Sequence, residues 1–69
     1  MIGKVYLVEI SKDFKNEELR GKTFIGELKE VGIYDGVLCL GFKSIEGLER
    51  DIYLRITDIT RMLELKHFE

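Results

Sequence analysis

The most regular pattern of apolar and polar positions is "DIYLRITDI", residues 51–59. There Ile52, Leu54 and Ile56 fall on one side of an extended chain, and Tyr53, Arg55 and Thr57 on the other. A period of two predicts a strand with one face in a core. "GKVYLVEI" (3–10) is apolar at both parities, which predicts a central or sandwiched strand. "KTFIGELKEV" (22–31) places Phe24 and Leu28 inward, with Gly26 between them at a bend or close backbone approach. Asp35-Gly36 is the dipeptide preferred in a two-residue hairpin turn, and "VLCLGFK" (37–43) follows as a nearly all-apolar strand. "SIEGLER" makes the next turn around Gly47.

Two segments break this rhythm. "SKDFKNEELRG" (11–21) is charged and turn-prone, with Ser11 as a helix cap, Asp13 in a first turn and Gly21 as a stop. Phe14 and Leu19 are five apart and share no helix face, so the segment predicts a loop with one or two helical turns. "DITRMLELK" (58–66) reads two ways: a strand with Leu63 and Leu65 inward, or a helix capped by Asp58 with Ile59, Met62 and Leu63 on one face. A short turn at "TDI" would return the chain to pair with its beginning, which favours the strand. The expected fold is mostly β: one domain over residues 1–69, a small five-stranded SH3-like or Sm-like barrel with a long loop or short helix after the first strand.

Composition agrees with strands. Alanine and proline are absent, and Ile, Val and Thr fill fifteen of the 69 positions. A domain of this length buries only about 60% of its unfolded surface. The single cysteine forms no internal disulfide, and no pair of Cys or His has zinc spacing. Self-association is the remaining way to add buried area, so a homodimer stays open, with "GKVYLVEI" and "RMLEL" as candidate edges.

Charge narrows the partners. Eleven Lys+Arg against thirteen Asp+Glu give a net charge of -2 and no whole-molecule attraction to nucleic acid or acidic membranes. No apolar run approaches the ~20 residues of a membrane helix, and "MIGKVYLVEI" is too short and too charged for a signal peptide. The expected location is cytoplasmic, with which the lone Cys39 agrees.

Candidate chemistry is sparse. His67 sits near the end of the chain, and Cys39, among Val37, Leu38, Leu40 and Phe42, reads as a small buried core residue. Gly21-Lys22-Thr23 mimics the end of a phosphate-binding loop. That pattern needs a glycine five positions earlier, where Asn16 stands, and Glu17 and Glu18 would face the phosphates. Glu17/Glu18 and Glu46/Glu49 read as surface charge in turns. No catalytic residue, cofactor or metal is expected.

The segment "GKTFIGELKEVGIYDGVL", with Gly21, Phe24, Leu28, Gly32, Gly36 and Leu38, resembles the first half of an Sm-like RNA-binding domain over about a quarter of the chain. The resemblance implies a bent-strand barrel and RNA contacts. The family places an Asp and a Met-Asn pair after this hairpin, where "CLGFKSIEG" has none. It also has an Arg-Gly pair on its fourth strand, where this chain has Arg55-Ile56.

The leading expectation is therefore a small protein-interaction module without catalysis. A phage-type regulator or inhibitor of a host protein, such as a basic nucleic-acid-binding protein, fits that description. Glu17, Glu18, Glu27, Glu30, Glu46, Glu49 and Asp51 would meet a positive partner, with Tyr53 and Arg55 on the same surface. Nucleic-acid binding ranks second, through Tyr34, Lys43, Tyr53, Arg55 and Arg61. A self-associating structural subunit is third, and no membrane partner is expected.

Overall fold

The computed structural model describes residues 2–66; His67 lies outside them. The strands are β1 (Val5–Ile10), β2 (Thr23–Tyr34), β3 (Val37–Glu46), β4 (Ile52–Arg55) and β5 (Ile59–Glu64), with 3-10 turns at Glu17–Leu19 and Ile56–Asp58. They form one antiparallel sheet in the order β4-β3-β2-β1-β5. β1 pairs with both β2 and β5, which explains its apolar residues at both parities. It is the centre of one half of the sheet, so the expectation of β1 as a free edge is corrected; β4 and β5 are the edges.

The core lies on one face of this sheet. Val8 and Ile10 of β1, Phe24 and Leu28 of β2, Leu40 and Phe42 of β3 and Leu54 of β4 are buried, and Phe14 joins them from the loop. Phe24 and Phe42 meet edge to face, with ring centroids 5.6 Å apart and planes at 82°. A Cβ on Gly26 would lie 2.8 Å from Cε2 of Phe24 and 3.2 Å from the Lys43 carbonyl oxygen. The glycine is what lets that ring lie against the strand. Asp35 (φ 52°) and Gly36 (φ 76°) are both left-handed, the conformation a two-residue hairpin loop of the primed type requires.

The expected barrel does not close. Among the described residues no ladder joins β4 to β5, and the sheet remains open at both ends. The physical reason lies in β4, which stops at Arg55 instead of running to residue 59. Asp58 is 7% exposed, and its carboxylate accepts from the Arg55 backbone N–H at 3.0 Å and from Nε and Nη2 at 3.2 Å each. Those bonds turn the chain into the 3-10 segment and leave Ile56 exposed, which corrects its inward assignment.

β5 is a strand, as the returning turn predicts, but its faces are exchanged. Its pairing with β1 passes from Ile10↔Ile59 to Glu9↔Arg61, leaving Thr60 as an extra residue whose hydroxyl donates to Glu9 Oε1 at 2.9 Å. A one-residue bulge moves every later side chain to the other face. Met62, opposite buried Val8, therefore packs on the core; Leu63 is exposed and Leu65 half-buried on the outer face, not inward. Cys39 is likewise half-buried rather than a core residue, because it alternates with buried Leu40.

Candidate functional site

The long loop after β1 is held by its own polar groups. Ser11 Oγ accepts the Asp13 N–H at 3.0 Å, so Ser11 makes a tight turn instead of capping a helix. The 3-10 cap is Asn16, whose Oδ1 accepts the Glu18 N–H at 3.0 Å. Arg20 Nε donates to the Phe14 carbonyl, and Gly21, at φ 72°, ends the turn. With Phe14 buried, this loop is anchored alongside the β3–β4 turn.

Between the loop and that turn runs an open groove of about 520 Å³. Leu19, Leu48 and Ile52 are its apolar lining, all half-buried against the core. Glu18 enters from the loop, and Glu49 and Asp51 from the turn, with Lys22 and Arg50 also lining it. Gly47 shapes the turn: its φ is 105°, and a Cβ there would lie 3.1 Å from Cα and Cβ of Phe24. Asp51 Oδ1 also accepts the Ser44 N–H at 3.2 Å, which fixes that carboxylate at the groove.

The acids expected to act together are thus divided. Glu18, Glu49 and Asp51 converge on the groove, with Glu17 beside Glu18 in the 3-10 turn, ion-paired to Arg20 at 3.6 Å, and Glu46 next to Gly47 in the turn. Glu27 instead lies on the outer sheet face, paired with Lys29 at 3.6 Å. Glu30 accepts a hydrogen bond from the Tyr53 hydroxyl across β2, β3 and β4. Asp51, Ile52, Glu30 and Tyr53 share a second, smaller depression of about 150 Å³, so Tyr53 adjoins the groove through Asp51 and Ile52.

The nucleic-acid candidates are partly assembled. Tyr34, Tyr53, Lys43 and Arg55 share the outer face of β2, β3 and β4; Arg61 lies on β5, at the other edge. Each tyrosine ring lies over a glycine. A Cβ on Gly32 would meet Tyr34 Cε2 at 2.9 Å, and one on Gly41 would meet Tyr53 Cε1 at 2.7 Å. Arg55 is held by Asp58. Its guanidinium is kept above its ordinary pKa, first by the hydrogen bond to that carboxylate and then by its charge.

The sequence pattern offered Asp58 only as the cap of an alternative helix and not as the acceptor that holds Arg55, although its position three residues after Arg55 in a turn was a usable signal. Among the described residues no three His, Cys, Asp or Glu side chains gather into a metal set, and no helix is long and apolar enough to cross a membrane. No protein-family model, curated protein or solved structure matches the chain.

Proposed function

We propose that this chain is a small non-catalytic protein-interaction module that takes a basic, extended segment of a partner protein into the groove between its long loop and its β3–β4 turn. The observation that carries this reading is the convergence of Glu18, Glu49 and Asp51, from two separate loops, over the apolar lining of Leu19, Leu48 and Ile52. Lysine and arginine suit such a lining because their aliphatic stems cover apolar surface while the charged head reaches a carboxylate. Complementary charge speeds encounter and selects the partner more than it adds affinity. A regulator or inhibitor that occupies the positive surface of a nucleic-acid-binding protein would use such a groove. The strand order and the 3-10 turn before β5 support reading the domain as an opened relative of SH3-like and Sm-like barrels.

A lysine- and arginine-rich peptide titrated into isotopically labelled protein tests the proposal. Amide shifts concentrated at residues 16–22 and 47–52, and lost at high salt, are the expected outcome. An unperturbed spectrum, or shifts scattered over the sheet, would contradict it.

One observation favours nucleic acid as a second reading: the flat-lying Tyr34 and Tyr53 each leave a ring face open for a base. Glu30 beside Tyr53 places an acid where a phosphate would come. A single-stranded oligonucleotide in the same titration decides between them, because its shifts would centre on Tyr34, Lys43 and Tyr53.

A further inference from the structure

Tyr53, Gly41 and Glu30 stand in one row across β4, β3 and β2, each directly opposite the next. The Tyr53 hydroxyl nevertheless donates to Oε1 of Glu30, two strands away, or about 10 Å at the usual strand spacing. Only a ring laid down across β3 spans that distance, and Gly41 is what lets it lie there. A Cβ on Gly41 would be 2.7 Å from Cε1 and 3.2 Å from Cδ1 of the ring, and 3.2 Å from Cβ of Glu30. The ring is thus tied down at both ends, by its own backbone and by its hydroxyl. Its upper face meets water, and Tyr53 is 64% exposed.

This ring lines the depression of about 150 Å³ that shares Asp51 and Ile52 with the groove, so a segment leaving the groove over Asp51 passes onto Tyr53. Four charged side chains line the same depression. Lys29 is ion-paired to Glu27 at 3.6 Å, and Lys43 stands opposite the same Glu27 in the ladder. Glu30 and Asp51 have no ion pair among the described residues: Glu30 takes the neutral Tyr53 hydroxyl, and Asp51 the Ser44 N–H. An open aromatic face beside a carboxylate without a cation suits one side chain that satisfies both. Arginine does so, because its planar guanidinium stacks on an aromatic face while its in-plane N–H groups still donate to a carboxylate. The compact, strongly hydrated ammonium of lysine gains less from the ring.

We infer that Tyr53 and Glu30 form an arginine-selective subsite that extends the groove, so that the basic segment carries an arginine at the end that leaves over Asp51. This rests on the reading of the groove as a site for a basic segment. The acids of the groove accept either cation, and the Tyr53 ring supplies the choice between them.

Calorimetric titration of two peptides of equal length and charge, one arginine-rich and one with every arginine replaced by lysine, tests the subsite. The arginine peptide is expected to bind wild type about three- to tenfold more tightly, the range of an exposed to partly desolvated cation–π contact. Tyr53→Leu is expected to remove that preference by weakening the arginine peptide alone, and Glu30→Gln to reduce it. Tyr34→Leu, on the hairpin and outside both depressions, is expected to leave it unchanged. If Tyr53→Leu fails to fold, the arginine δ-methylene protons of the wild-type complex give the second measurement, with upfield ring-current shifts and NOEs to the Tyr53 ring expected. Equal binding of the two peptides, a preference that survives Tyr53→Leu, or NOEs to Tyr34 in place of Tyr53 would overturn the subsite. The groove reading would still stand in those cases if both peptides lose affinity in a Glu18→Gln/Glu49→Gln variant. Binding of neither peptide would overturn both.

Discussion

Leu54 concentrates the residue-scale argument. It is completely buried and sits opposite Leu40 in the short β4. Leu54→Ala should cost about 2–5 kcal/mol by lost transfer energy and a residual cavity, read as a lower midpoint in denaturant. Leu54→Asp should prevent folding; cooperative unfolding retained in that variant would contradict the placement. Gly47 combines a left-handed φ with backbone contact to Phe24, so Gly47→Ala should destabilise by about 1–3 kcal/mol. Because the turn carrying Glu49 and Asp51 would shift, the same variant should bind the basic peptide more weakly. Asp58→Ala removes the acceptor for the part-buried Arg55 backbone N–H and for two exposed guanidinium donors, and should lower the midpoint of denaturant unfolding. The raised pKa of Arg55 means its share of that stability is present below its ordinary value and is lost only as pH climbs through the raised one. Titration of Arg55 therefore adds no slope to stability between pH 5 and 8.

At the scale of elements, what was legible in the sequence was local. Alternation located β4, apolar residues at both parities marked β1 and its central place, a nearly all-apolar run marked β3, and the Asp35-Gly36 pair located the hairpin. What was not legible depended on contacts distant in sequence. The bulge opposite Glu9 and Ile10 exchanged the faces of β5, and no alternation within "ITRMLE" records it. The end of β4 was set by a side-chain acceptor, Asp58, that competes with strand continuation. The groove escaped for the same reason: its two walls lie about thirty residues apart in the chain. β4 makes its own prediction. Asp58→Asn keeps an acceptor but loses the charge, so the amides of residues 55–58 should exchange with solvent faster while those of Leu40 and Phe42 remain protected. Equal acceleration throughout would show that the clamp is global rather than local.

For the whole molecule, one face of the sheet carries the core, the other mixes apolar side chains such as Leu7, Ile25 and Leu63 with charged residues and exposed tyrosines, and at one end Glu18, Glu49 and Asp51 meet Lys22 and Arg50 between two loops. A chain this small gains little from its own core, so both surfaces bear on how it persists and what it meets. The acidic groove is the central claim, and calorimetric titration of an arginine-rich peptide into wild type and into a Glu18→Gln/Glu49→Gln/Asp51→Asn variant tests it most directly. The account predicts measurable binding to wild type that weakens with salt, and at least a tenfold loss in the variant with its fold intact. Equal binding by the two proteins, or none by the wild type at low salt, would contradict it.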